Sequence, residues 1–322
     1  MHTLWGVVVG CAGLLLAPFG GAQPYPDRPI RAIVSVPAGG TADVLARIVT
    51  PAMSTLLGQQ VVVDNRGGAA GLVAAELAAK ATPDGYTLLL TSSGALTIVP
   101  HLSKSVPYDT LHDFAPIALV STGPFLLVTN PSLPVTTVQD LIALAKAQPG
   151  KLNYGSGGNG TANHLGMELF KSMAGIDITH IPYKGAPQTV TDLLGGRIAL
   201  TLNSIPPSIP LIRDGRMRAL AIAGAKRSPL LPGVPTASES GLPGYEAGNW
   251  LGLLAPARTP ARIIVKLNEV TVKAVATPYV HSRLEELGTT PVANSPEEFR
   301  AFIRSEWELN AKIVKLAGAK VD

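Results

Sequence analysis

Two glycine-rich runs hold the residues best suited to chemistry: Pro37-Ala38-Gly39-Gly40-Thr41 and Gly157-Gly158-Asn159-Gly160-Thr161. Each follows a short apolar run and opens a stretch of helical spacing. Each therefore sits at a helix N-terminus, where unpaired N–H groups and a partial positive charge can hold an anion. Glycine lets such an anion approach the backbone closely. In α/β sheets, loops of this kind lie at the carboxyl ends of strands, where ligands bind. Taken singly, either run is also a plain strand-to-helix turn. Neither fits G-x-x-x-x-G-K-[ST] or G-x-G-x-x-G, so a nucleotide is not the expected anion.

Three charged or titratable side chains lie close by in sequence. Asp43 follows the first run and reads as a helix cap or tether between loop and helix, with a general base as the lesser reading. His164, three residues past Thr161, is a candidate ligand contact or a packed histidine. Lys184, in Tyr183-Lys184-Gly185-Ala186, could face a cleft or lie in solvent. His101, His112, His164, His180 and His281 show no H-E-x-x-H or H-x-x-x-H spacing, and no G-x-S-x-G elbow occurs. Cys11 is the only cysteine. No catalytic residue, metal site or cofactor is expected.

The elements that must position these runs alternate between strand and helix. Ile30–Val36 is strand-like, and Asp43–Leu57 has helical spacing. Val44, Leu45, Ile48, Val49, Ala52, Met53 and Leu56 would share its apolar face, with a kink at Pro51. The unit recurs at Val61–Asp64 with a helix from about Leu72, and Tyr86–Thr91 is a further strand. Ala115–Val120 and Phe125–Thr129 read as two strands separated by Thr122-Gly123-Pro124, a first crossing between lobes. Thr137 caps a helix with Asp140 three residues on. Leu152–Gly155, Ile176–Pro182, Ile198–Asn203 and Met217–Ala223 are further strands, and Ser228–Gly244 is a surface loop and return crossing. Trp250–Ala255 is a buried strand, followed by three helices, the last opened by Ser295-Pro296-Glu297-Glu298. The alternation predicts an α/β fold of two lobes with mixed, mainly parallel sheets.

The first residues read as an export signal. Leu4–Leu16 is apolar but too short to span a bilayer, and Gly20-Gly21-Ala22 offers a cleavage site. Residues 1–22 are thus expected to be a signal peptide. Val8-Val9-Gly10-Cys11 resembles a lipoprotein box, but little apolar chain precedes it. About 300 residues then remain, long for one core and comfortable for two lobes. The expected division is 23–122 with 246–322 as lobe one and 123–245 as lobe two. Net charge is +4, from 26 Lys and Arg against 22 Asp and Glu, without basic blocks. That suits small anions and not nucleic acid.

Several short motifs in order resemble one family across the chain after residue 22. They include Tyr25-Pro26-Asp27-Arg28-Pro29-Ile30, Pro37-Ala38-Gly39-Gly40-Thr41-Ala42-Asp43, Asn65-Arg66, Pro83-Asp84-Gly85-Tyr86 and Asp113-Phe114-Ala115-Pro116-Ile117. Tyr154-Gly155-Ser156-Gly157, Pro182-Tyr183-Lys184-Gly185 and Asp192-Leu193-Leu194-Gly195-Gly196 continue the series. The sequence resembles the Bug receptors, substrate-binding components of tripartite tricarboxylate transporters. The resemblance implies a Venus-flytrap (periplasmic-binding-protein) fold whose cleft takes a small carboxylate or dicarboxylate. It implies that Ala38, Gly39, Thr41, Gly157, Asn159, Gly160 and Thr161 hold one carboxylate, largely through backbone amides and bridging waters. By the same resemblance, Ser92 and Asn203-Ser204 mark strand ends facing the cleft, and Asp43 has a structural role. The expected partners are the large and small membrane subunits of such a transporter, and the expected location is the periplasm. The absence of a heptad seam points to a monomer. The competing reading is an orphan sensor or an enzyme on the same bilobal fold, which fold alone does not separate.

Overall fold

Successive strand residues are buried on opposite sides, packing alternately into two different cores, so both faces of each sheet are covered. In the computed structural model, which describes His2 and residues 25–318, the first strands are β1 (Ile30–Val34), β2 (Val61–Asn65) and β3 (Thr87–Thr91). The expected signal peptide therefore lies outside the described residues. Ile30, Ala32, Val34, Leu88 and Leu90 face one core; Ile33 and Leu89 face another. Between these strands run α1 (Thr41–Leu57), a 3-10 turn at Ala69–Gly71 and α2 (Leu72–Ala79). After β3 come a π-helical segment, Gly94–Ile98, and α3 (Val99–Leu102).

β4 then runs unbroken from Phe114 to Thr129. Two strands parted by Thr122-Gly123-Pro124 were expected; the structure joins them. The reason is the partner strand, β9 (Gly248–Pro256), which pairs antiparallel with β4 through Gly123↔Asn249 and Pro124↔Gly248. The two backbones approach so closely there that a Cβ on Gly248 would sit 2.6 Å from the Gly123 carbonyl oxygen. Beyond this point β4 enters a second sheet, where Phe125 and Leu127 face one core and Leu126 and Val128 another.

The second sheet contains β5 (Asn153–Ser156), β6 (Thr179–Pro182), β7 (Leu200–Ser204) and β8 (Arg218–Ala223). Its helices are α4 (Val138–Ala147), α5 (Ala162–Ala174), α6 (Ala186–Leu194) and α7 (Ile205–Arg213). The chain returns to the first sheet through β9, then α8 (Ala261–Ala276), α9 (Pro278–Glu286), β10 (Thr290–Pro291) and α10 (Pro296–Ala317). The strand path is β2-β1-β3-β9-β4-β7-β5-β6, with β8 and β10 also pairing β4. β1 pairs parallel with β2 and β3, and β5 with β6 and β7. Every antiparallel pair involves β4 or β9, so the crossing strands give antiparallel pairing a larger share than repeated strand–helix units alone imply. The fold is thus a bilobal α/β fold with mixed sheets.

Three local expectations change. The apolar face of α1 is rotated: Ala42, Leu45, Ala46, Val49 and Met53 are buried, while Val44 and Leu56 are exposed. The helix continues through Pro51. The Ser228–Gly244 segment is not simply a surface loop. Thr236, Ala237, Ser240 and Leu242 are buried, because Thr236 bridges Ile222 as an extra edge of the second sheet. The two expected caps form, and each closes a full capping box: Thr137 with Asp140 as read, and Ser295 with Glu298.

Candidate functional site

The first glycine run leaves β1 and enters α1 with Gly40 as its cap and no side-chain cap bond. Asp43 ties this loop down. Its side chain is 4% exposed, and Oδ2 accepts the Gly39 amide at 2.9 Å. Oδ1 accepts Arg47 Nε and Asn65 Nδ2, both at 2.9 Å. Burial pushes the carboxyl up, but the Gly39 amide, Arg47 and Asn65 outweigh it and hold Asp43 below the usual carboxylate range. With both oxygens engaged in three hydrogen bonds, Asp43 is a tether between loop, helix and β2. Ala38, Gly39 and Thr41 are exposed, and Gly40 is half-buried.

The second run leaves β5 and enters α5, again without a side-chain cap bond to the helix. Thr161 Oγ1 instead donates within its own loop, to the Gly158 carbonyl at 2.6 Å or Asn163 Oδ1 at 2.7 Å. His164 is 4% exposed, and its Nδ1 accepts the Gly160 amide at 3.2 Å. It is therefore a buried support of the loop, and its acceptor nitrogen is already committed. Its ring stacks on His180 with centroids 4.2 Å apart, and His180 stacks on Tyr154 at 4.8 Å. His180 Nε2 lies 2.7 Å from Ser156 Oγ, which accepts the Gly158 amide at 3.1 Å. Burial holds both imidazoles below the usual histidine range, with His180 pushed down to about 3 by burial, His164 and Lys171.

Gly160 brings the two lobes together. It is buried, has φ +76°, and a Cβ there would stand 2.7 Å from Val99 Cγ2 of α3. Ala70 lies next to the same position, 3.6 Å away. A second bridge joins Thr41 Oγ1 to Ser204 Oγ at 3.4 Å. Ser204 caps α7 without a side-chain bond to the helix. Thus α1 and α5 begin without a side-chain N-cap, and their first-turn amides have no side-chain partner among the described residues; α7 also lacks a side-chain cap, but Pro206 and Pro207 leave its first turn with few amides to offer. Thr41 and Ser204 also line a cavity of about 40 Å³, together with Ser121, Gly123, Asn249 and Thr289. Ser121 Oγ, in a residue 1% exposed, has no hydrogen-bond partner among the described residues.

The other expected residues are less uniform. Ser92 is half-buried at the end of β3. Asn203 is buried and its amide donates to Ser208 Oγ at 3.0 Å, which makes it a brace for the first turn of α7. Lys184 is exposed; its backbone amide donates to Gln188 Oε1, and its ammonium has no ionic partner among the described residues. Its loop neighbours the second run, since a Cβ on Gly158 would meet the Tyr183 carbonyl oxygen at 3.0 Å. Asn159 is exposed at the tip, and Gly157 and Thr161 are half-buried.

Two parts of the site were not read from the sequence. The 67–71 loop packs between the first run and the π-helical segment: Gly71 approaches Ser35 and Ala95, and Gly94 approaches the Ala70 carbonyl. Its Ala69 and Ala70 have φ of +46° and +54°, a left-handed backbone that alanine adopts only under constraint. The run Gly67-Gly68-Ala69-Ala70-Gly71 after a strand was the available signal. The Ser156–His180 contact was also missed. Tyr154 and His180 are register partners, so Tyr154, Ser156 and His180 share one sheet face once β5 and β6 are paired.

Among the described residues no cluster of three or more His, Cys, Asp or Glu could hold a metal. No helix among them is long and apolar enough to cross a membrane.

Comparison with known proteins gives the geometry a context. The sequence profile of the tripartite tricarboxylate transporter family receptor, TctC, matches residues 45–319. The chain is 41% identical over 317 residues to protein BugT of Bordetella pertussis, covering 98% of this chain and 97% of BugT. Among solved structures it is similar to R. palustris Rpa4515 with adipate, at 38% identity and a TM-score of 0.87, covering 92% and 100% of the two chains. It is also similar to MatC (Rpa3494) from Rhodopseudomonas palustris with bound malate, at 31% identity and a TM-score of 0.84, covering 90% and 100%. The chain belongs to the tripartite tricarboxylate transporter receptor family, the family of the Bug proteins.

Proposed function

We propose that the chain is a periplasmic solute-binding receptor that captures a small carboxylate or dicarboxylate between its lobes and passes it to a tripartite transporter. The observation that carries this reading is the pair of helix N-termini without side-chain caps, those of α1 and α5, each opened by a glycine-rich run. Such ends favour an anion held by backbone donors. Two relatives of the same fold carry adipate and malate. The cradle comprises Ala38, Gly39, Gly40 and Thr41 from the first lobe and Gly157, Asn159, Gly160 and Thr161 from the second. Ser92, Ser204 and Lys184 complete its rim. His164, Asn203 and Asp43 support it from behind.

The lobes are 23–122 with 246–322, and 123–245, after loss of residues 1–22. They close about Gly123–Pro124 and Gly248–Asn249, where the crossing strands meet most closely. The receptor acts as a monomer that offers both lobes to the large and small membrane subunits. It has no catalytic role. Ser156 and His180 resemble a nucleophile and base in distance alone, but Ser156 is fully buried and an imidazole pushed down to about 3 is too weak a base to activate a serine.

A thermal-shift screen over malate, adipate, citrate, acidic amino acids and aromatic carboxylates tests the reading. A ligand at a hundredfold its Kd stabilises by about 2.7 kcal/mol. Stabilisation by at least one carboxylate is expected. Stabilisation only by neutral or cationic solutes would overturn it.

A further inference from the structure

We propose that His164 is a positioning residue for the second glycine run, holding the loop in its binding shape only while its imidazole is neutral. The inference rests on the reading that this loop takes the ligand. It deepens that reading by adding a built-in pH response.

The geometry requires a particular protonation state. Nδ1 of His164 accepts the Gly160 amide at 3.2 Å, so that nitrogen must present a lone pair and the ring proton must sit on Nε2. A second proton would go to Nδ1. It would place one N–H against another and release the Gly160 amide. Gly160 is also where the loop meets Val99 across the cleft, so losing this bond frees both the loop and the lobe contact.

The surroundings do not favour an imidazolium. His164 is packed against His180, its rings stacked at 22°. The charged groups around the pair are Glu168 and Lys171, both on α5, with the Tyr154 phenol from β5. The carboxylate is already spent: Glu168 Oε1 accepts the Tyr154 hydroxyl at 2.5 Å and Lys171 Nζ at 2.9 Å. A cation on His164 would face Lys171 and the stacked His180, with the one nearby carboxylate, Glu168, already paired to Lys171. Burial is the main influence holding the imidazole neutral; Glu168 opposes it and Lys171 adds to it. His180 braces the other end of the loop through Ser156 Oγ, which accepts the Gly158 amide. The two histidines thus grip the run at its first and last glycines of left-handed backbone, Gly158 at φ +124° and Gly160 at φ +76°.

Two measurements on the full chain test this. Long-range 15N imidazole spectra, recorded without ligand from about pH 7.5 to about pH 4.5, should show His164 as the Nε2–H tautomer. The Gly160 amide should shift with the midpoint of His164 titration. An Nδ1–H tautomer, or a Gly160 amide indifferent to that titration, overturns the proposal. Calorimetry with adipate and malate then compares wild type, His164→Ala and His164→Asn. Asparagine places Oδ1 near the Nδ1 position and cannot be protonated in this range. At pH 7.5, His164→Ala should lose about five- to tenfold in affinity, and His164→Asn should recover part of it. As pH falls, the affinity of wild type should drop relative to His164→Asn, a ratio that cancels protonation of the probe itself. A constant ratio overturns the proposal. If neither probe binds wild type at neutral pH, the receptor reading has failed for these ligands, and the spectra still decide the role of His164.

Discussion

Replacing Gly160 by alanine separates two costs that this one glycine avoids. The first is local: φ of +76° in an L-residue costs about 1–2 kcal/mol. That strain is present whether the lobes are open or shut, so it lowers stability and leaves affinity alone. The second would arise on the proposed closure of the lobes, because where they meet the new Cβ would stand 2.7 Å from Val99 Cγ2. Val99 is buried, so its methyl has little room to yield. Overpacking of this kind costs about 1–3 kcal/mol, or about five- to 150-fold in affinity. The double variant Gly160→Ala/Val99→Ala removes the clash and keeps the strain. It should regain most of the affinity while its melting temperature stays low. The assay is calorimetry with the tightest carboxylate of the screen, paired with thermal unfolding of each variant. If Gly160→Ala weakens binding and Val99→Ala restores none of it, the lobe–lobe account of Gly160 is refuted.

Three smaller predictions concern the surroundings. Lys184→Ala should cost at most about 1–2 kcal/mol of binding, since the exposed ammonium adds one charged contact to a backbone cradle; complete loss in calorimetry would favour a lysine salt bridge instead. Asp43→Ala strands the Gly39 amide, Arg47 and Asn65 and should cost about 2–4 kcal/mol in denaturant unfolding. Because its folded pKa is lowered, the stability it lends is present above about pH 4 and lost as pH falls below. The melting temperatures of wild type and Asp43→Ala should therefore converge in acid, and parallel curves would count against it. Ser121→Ala removes a buried hydroxyl with no partner among the described residues and should change unfolding free energy by less than about 0.5 kcal/mol or stabilise; a clear loss would place a bridging water in the adjoining cavity.

The alternation of strands and helices was legible because each apolar run is short and each glycine-rich turn opens a helical stripe. Both capping boxes were legible for the same local reason: cap and partner lie three residues apart. Long-range pairing was not. The sequence Thr122-Gly123-Pro124 reads as a break because proline gives no amide to a ladder, and only β9 at its side turns the break into a close crossing. The glycine runs were recognised as helix openings, yet one reason for a glycine at 160 is Val99, 61 residues earlier in the chain, which stands in the way of a side chain. His164 reads from sequence as either a ligand contact or a packed histidine and Asn203 as a strand end facing the cleft; in the structure both brace a loop or a helix end. Their direction depends on partners, Gly160 and Ser208, whose roles only the folded backbone reveals.

The place of β9 has a consequence for the order in which the molecule can be built. It lies between β3 and β4, pairing Leu89 and Pro116 through Leu254. As the chain is made from its N-terminus, the first sheet has a vacancy at its middle until residue 256 arrives, and α8 to α10 come later still. The second sheet, by contrast, is complete once β8 ends at Ala223 and the Thr236 bridge has formed. The lobe that begins the sequence is thus the last to finish. Such an order keeps the first sheet open until about four-fifths of the polypeptide has been made.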